Sequence, residues 1–550
     1  MRFDALAAPL TLLALAFPFL FSYTAPPTSN FWPAFAAWVC GALVAVLAVF
    51  RTFLGARAPG AASVPAGRVF LASQLAVGLL LAALLAAVIG LLQYFWGDVG
   101  LAPWVQPSSP GQAIGNLRQR NQQASLMSLG VWALLWLVAQ LHVRLEGRPG
   151  SQEAPLQRML PTGRPWPGWL MGLLLAWTLT LLAAGSAATA SRTGAAQWLL
   201  MVLLLVLWRP ANGRLVLGLG LVGLLLYGVM GWLLPGLLLD WTGFSTEGLF
   251  SRLAGDPQVC SSRQVLWSNV LYLIAQKPWT GWGWGELDYA HYMTLFPGER
   301  FCALLDNAHN LPLHLAVELG LPVALLACGA AVVGVLRARP WRESDPVRQL
   351  AWGILAIVGL HSMVEFPLWY GPFQLVTLLA LALLWRRELL RWARSPVLVG
   401  GSLVALAVVG AVAAGAVWDY YRVSQLYRPL PQRSLAYQGD TLAKVSNTPL
   451  FTNQVDFALL TTTELTRENA PQVHTLATEL LHYSPEPRVI EALIESALLL
   501  GRDDEVAFQL RRYRAAYPDE HARWARSQQP TGPKSAEGTP PRLEAVPQSR

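Results

Sequence analysis

A chain of 550 residues that is 54% hydrophobic and only 13% charged, with a mean hydropathy of +0.40, carries more apolar surface than a soluble fold of this length can hide. Its net charge of +8 comes almost wholly from arginine gathered in short loops, a pattern of membrane topology and anionic-lipid contact that points to no nucleic-acid partner. Four cysteines are too few for a disulfide framework.

The expected class is an all-α polytopic membrane protein of about 11 transmembrane helices. Runs suited to a bilayer core of about 30 Å, roughly 20 residues each, fall at 5–21, 31–50, 69–93, 124–141, 168–187, 195–208, 215–234, 311–336, 350–361, 368–385 and 397–418. The first has no small-residue cleavage site, so it reads as a retained helix and not as a signal peptide. Many of the 24 tryptophans lie at the ends of these runs, as in an interfacial belt.

Arginine placement orients the runs. With a cytoplasmic N-terminus, the inner turns hold Arg51, Arg57 and Arg68; Arg144, Arg148, Arg158 and Arg164; Arg209 and Arg214; Arg337, Arg339, Arg342 and Arg348; and Arg386, Arg387, Arg391 and Arg394. The short outer turns hold only Arg118, Arg120 and Arg192. The C-terminus is then outside, and three regions face outward: a polar loop at 94–123, a long loop at 235–310 with its own helix at 262–276, and a tail from 419. The domain reading is a membrane domain at 1–418, an α-helical domain at 419–526 and a disordered tail at 527–550. In the tail, segments 469–483, 487–500 and 503–517 have helical apolar spacing and resemble the paired helices of tetratricopeptide arrays.

On this topology polar groups gather at one membrane surface, where their cost makes them functional candidates. The stretch 306–320 joins loop to helix and contains Asp306, Asn307, His309, Asn310, His314 and Glu318. Arg192 lies in Ser191-Arg192-Thr193-Gly194, Arg263 opens the loop helix, and His361, Glu365 and Tyr370 share another outer turn. Two arginines at the boundary suit an anionic ligand such as diphosphate, because guanidinium stays charged and offers forked donors. A histidine among cations favours its neutral form and can act as a general base.

Plainer roles stand beside these. Arg192 could snorkel to headgroups, Arg263 could be a surface charge, and Asn307 or Asn310 a helix cap. His314 and Glu318, at i and i+4, could be an internal pair. Trp279, Trp282 and Trp284 could stack on sugars or belong to the belt. Cys260 and Cys302 bracket one loop and could pair in an oxidising compartment, whereas Cys40 and Cys328 lie inside apolar runs. No metal-ligand motif is present, and neither metal nor cofactor is expected.

At these residues the sequence resembles the bacterial O-antigen ligase and polymerase superfamily. The resemblance rests on His309-Asn310 followed by Glu318-x-Gly320, on Gly281-Trp282-Gly283-Trp284-Gly285, on Arg263 ahead of Trp267, and on Ser191-Arg192-Thr193-Gly194. Gln119-x-Asn121, the block from Glu365 to Tyr370 and the helical tail are most similar to the PglL-type protein O-oligosaccharyltransferases, although Arg120 follows Gln119 where that branch carries proline. The resemblance implies an enzyme of the bacterial inner membrane that takes a glycan from undecaprenyl diphosphate on the periplasmic side and transfers it, without metal, to a hydroxyl. It assigns His309 as base and Arg192 and Arg263 to the diphosphate. Gln119, Asn121, Asn310, His314, Glu365, Tyr370 and Trp282 are the candidate substrate contacts, and His314 is the rival base. The acceptor could be Ser or Thr of a periplasmic protein such as pilin, lipid A core, or a growing glycan chain. A lipid-linked glycan transporter is the alternative of another class; it should show repeated halves with interrupted helices near the midplane.

Overall fold

The computed structural model describes residues 2–55, 64–145, 167–255, 259–385 and 396–528. Among these the regular structure is helical, with no strand. In chain order the helices are α1 (Arg2–Leu20), α2 (Phe31–Gly55), α3 (Val64–Trp96), α4 (Arg120–Leu145), α5 (Gly168–Ala188), α6 (Arg192–Leu207), α7 (Arg209–Thr242) and α8 (Leu249–Ala254). Then come α9 (Arg263–Gln276), α10 (Leu287–Met293), α11 (Leu311–Ala338), α12 (Pro346–Ser362), α13 (Gly371–Leu384) and α14 (Pro396–Ser424). The tail adds α15 (Thr441–Val445), α16 (Thr452–Thr462), α17 (Ala470–Leu480), α18 (Pro487–Leu499), α19 (Asp503–Ala516) and α20 (Pro518–Ser527).

Seven helices among the described residues are long and apolar enough to cross a bilayer, and the chain is a multi-pass membrane protein. The other four expected runs lie on α1, α6, α12 and α13, of which the last three have 16, 17 and 14 residues. At 1.5 Å per residue these rise only about 21–26 Å, less than the hydrocarbon thickness. The inner turns around Arg57, Arg148, Arg158, Arg164, Arg386, Arg387, Arg391 and Arg394, and the tail beyond 528, lie outside the described residues.

The core explains which helix is central. The span on α4 is 78% buried, whereas those on α11 and α14 are 11% buried and present apolar side chains outward. Around α4 pack α3, α5, α6 and α12, with Leu126, Met127, Leu129, Ile354 and Phe373 fully buried. Burying one such side chain contributes about 1.5–3 kcal/mol in water; inside lipid the close fit itself supplies the attraction.

Two loop boundaries differ from expectation. The run expected to end at 234 continues through Pro235 to Thr242, so the long loop starts at 243. The run expected at 311–336 is broken at Gly320, whose φ of 83° and ψ of 162° are not helical. Leu311–Leu319 therefore belongs to the loop's own core, packed against α9 with Val265, Leu266, Leu273, Ala316 and Val317 buried. Cys260 and Cys302 form a disulfide across this loop, with Cα atoms 5.3 Å apart. In the tail, α17, α18 and α19 match the three expected helical segments and pack in sequence.

Candidate active site

The site grows from helix starts. Gln119 caps α4, its Oε1 accepting from the Gln122 amide at 2.8 Å. Ser191 caps α6 through the Gly194 amide at 3.0 Å, Ser262 caps α9 through Val265 at 3.2 Å, and Asn310 caps α11 through Leu313 at 3.1 Å. Each such cap stabilises a helix by about 1 kcal/mol. Together they bring four N-termini, with their outward N–H groups and positive dipole ends, to one end of the bundle.

Glu365 joins them. Its carboxylate is 3% exposed and lies in the turn between α12 and α13. It accepts from Asn121 Nδ2 at 3.0 Å, from Gln119 Nε2 at 3.4 Å, from His309 Nδ1 at 2.8 Å, and from Arg263 Nη2. Burial alone would push this carboxyl up. The His309 hydrogen bond, and then the His309, Arg263 and His361 charges, more than offset burial and hold it below the ordinary glutamate value.

A carboxylate can only accept, so His309 Nδ1 carries the proton and Nε2 keeps its lone pair. The ring stands edge-on to Phe366 at 4.9 Å, and its side chain is 21% exposed, leaving a path to solvent. The backbone presents it in the left-handed region at φ 48°, steadied by the His309 amide donating to Asn307 Oδ1 at 2.9 Å. Such a conformation in a non-glycine residue is costly and marks a constrained site.

Other expected residues border this core. Asn310 Nδ2 donates to the Met363 carbonyl at 2.9 Å. Ser191 Oγ donates to Asn121 Oδ1 at 2.7 Å and so places Arg192 beside the cluster. The Arg192 fork itself points to the end of α8, donating to the carbonyls of Arg252 and, at 3.1 Å, Gly255. Tyr370 caps the approach to α13 without a side-chain cap bond. His361 stands behind, its Nδ1 2.7 Å from Ser125 Oγ, which accepts from Gln197 Nε2 at 2.6 Å. Ser125 and Gln197 escaped sequence reading; a Ser and a Gln inside apolar runs were the available signal.

His314 and Trp282 stand apart from Glu365. His314 is buried, 3.5 Å from Glu318, and its ring meets Trp369 at 4.9 Å. Trp282 is turned into packing, its indole N–H donating to the Leu273 carbonyl at 3.0 Å and its face covered by Lys277 at 4.1 Å. Trp279 and Trp284 are exposed, and Trp284 lies nearly parallel to Trp369 with centroids 6.3 Å apart.

The glycines between these tryptophans close the break in α11. Pro322 has no N–H, so the Glu318 carbonyl loses its helical donor. The Trp282 amide donates to the Val317 carbonyl at 2.9 Å, Gly283 to Glu318 at 3.0 Å, and Leu321 to Pro278 at 2.8 Å. Backbones this close leave no room for a Cβ: one at 281 would fall on the Glu318 carbonyl, and one at 320 on the Trp279 carbonyl. Irregular backbone near a membrane must find such partners. An interrupted helix is a transporter feature too, but this interruption serves the His309 end of the bundle.

Comparison with known proteins finds matches over the segments that carry these residues. The family described as O-Antigen ligase matches residues 177–328, which include Arg192, Arg263 and His309. Over that segment the chain is similar to the O-antigen ligase family. The Protein glycosylation ligase family matches 113–138, which include Gln119 and Asn121. The C-terminal family of virulence-factor membrane-bound polymerases matches 349–531, from α12 into the tail. A general O-oligosaccharyltransferase of Acinetobacter baylyi is 28% identical over 170 residues, 29% of this chain and 28% of that relative. The match thus spans little more than a quarter of the relative's length. The Gln119–Asn121 segment thus lies within the protein-glycosylation match, whereas the Glu365–Tyr370 segment lies within the polymerase match.

Proposed function

We propose that the protein is a protein O-oligosaccharyltransferase, moving a glycan from undecaprenyl diphosphate to Ser or Thr hydroxyls of periplasmic proteins such as pilin. The observation that carries this reading is His309 bonded through Nδ1 to a buried, ionised Glu365, amid Arg263 and four helix N-termini. His309 Nε2 takes the proton as the acceptor oxygen attacks the anomeric carbon. The bond from that carbon to the diphosphate oxygen breaks, and the electron pair leaves with the diphosphate. A single displacement inverts the anomeric centre. Charge builds on the leaving group, where Arg192, Arg263 and the helix starts oppose it; such preorganised charge is the largest catalytic effect in many enzymes. Glu365 fixes the histidine's tautomer and stabilises its cation after transfer. The active site and tail domain face the periplasm, with metal playing no part.

The test is reconstituted transfer from a polyprenyl-diphosphate glycan, with chelator present and purified pilin and lipid A core competing. Glycosylated pilin lost in His309→Ala supports the reading. Labelled lipid A would make the protein a ligase, in line with the O-Antigen ligase match, and longer glycan chains would make it a polymerase. Full activity of His309→Ala would remove the base.

A further inference from the structure

Arg118 lies beside the cluster and, unlike Arg263, is held by no carboxylate among the described residues. Arg263 is paired with Glu365, and the Arg192 fork is spent on carbonyls. Arg118 Nη2 donates to the neutral Asn30 Oδ1 at 2.7 Å, and among the described residues no carboxylate pairs with it. Burial pushes its guanidinium below the ordinary value, the mark of an under-solvated cation. Such a group is costly until an anion joins it.

Its surroundings define the anion. Arg118 lines a shallow, open hollow between the end of α1, the start of α2 and the start of α13. Pro18, Phe21, Pro33 and Trp369 make apolar walls, and Tyr370 shares the polar rim. The residue is held there in the left-handed region at φ 61°. Its neighbour Asn116 locks the loop, donating to the Leu20 carbonyl at 2.6 Å and the Trp104 carbonyl at 2.8 Å. On its other side Gln119 reaches Glu365. A cation set in an apolar-walled pocket beside the cluster fits a phosphate that carries a hydrocarbon chain.

We propose that this pocket holds the diphosphate end of a polyprenyl lipid, with Arg118 as its cation. The assignment rests on the donor class proposed above and adds a binding residue to it. The test uses the full chain in phosphatidylcholine nanodiscs with farnesyl diphosphate as probe. Arg118→Gln stays polar and loses the charge. It should bind about ten- to a hundred-fold more weakly, the worth of a charge-assisted hydrogen bond, with Arg118→Lys in between. Farnesol and inorganic diphosphate should each bind far more weakly than the probe. Wild-type affinity in Arg118→Gln overturns the assignment, and so does displacement of the probe by phosphatidylglycerol at matching concentration. Weakened probe binding in a protein that transfers glycan to no acceptor supports the pocket while defeating the transferase reading. Transfer with an unchanged donor KM in Arg118→Gln does the reverse.

Discussion

Glu365 has four side-chain donors around one carboxylate, and removing its charge while keeping its shape separates its roles. Glu365→Gln keeps the hydrogen-bonding outline but can no longer dictate the His309 tautomer. Transfer should fall by about 10²–10⁴-fold in kcat, the range of a general base, while donor KM changes little. The same substitution should alter acid stability. A carboxyl held below its ordinary value contributes stability that is present above the unfolded pKa and lost as pH falls through the folded one. Melting curves of wild type and Glu365→Gln should therefore converge as pH drops below the ordinary glutamate range. His309, Arg263 and Glu365 were each legible as polar groups at one boundary. Their pairing was not, because His309 and Glu365 sit on different elements and no local pattern links them.

At the scale of elements, the break in α11 and the strap that closes it stand or fall together. Gly320→Ala adds a Cβ against the Trp279 carbonyl and demands a left-handed conformation that alanine resists. A cost of about 1–3 kcal/mol is expected, read as a lowered Tm in detergent and a matching loss in Gly281→Ala. The glycine-tryptophan run was visible in the sequence, whereas its partner was not. A run of apolar residues reads as one continuous span, and only Gly320 with Pro322 hinted at the interruption. On α10, burial pushes Asp288 up to about 7, with the Tyr289 amide opposing. Between the ordinary value of 3.8 and that point, the folded chain holds a proton the unfolded chain has lost, so stability falls as pH rises. Asp288→Asn should raise Tm at pH 8, and the gain should vanish near pH 4.

Over the whole molecule, arginine alternation and apolar runs were enough to bring the candidate residues to one end of a helical bundle. The way the tail engages that end was hidden, since it depends on contacts between distant segments. Tyr292 of α10 is buried among the tail helices, its hydroxyl donating to Gln509 at 2.9 Å, and Arg512 Nε reaches the Met293 carbonyl at 2.9 Å. His482 meets Glu286 at 2.8 Å, one residue beyond the glycine-tryptophan strap. Tyr420 stacks on Phe31 with centroids 3.8 Å apart. The tail thus touches both the loop that carries the histidine and the turn beside the Arg118 pocket.

The convergence of helix beginnings on the site has one more consequence. Peptide dipoles and guanidinium groups take up and release no protons across the working range, so the attraction they exert on a diphosphate is indifferent to acidity. Between pH 7.5 and 8.5, where the diphosphate is itself fully ionised, the affinity for farnesyl diphosphate should therefore stay flat, and it should weaken below pH 7 only as the ligand takes up its own proton.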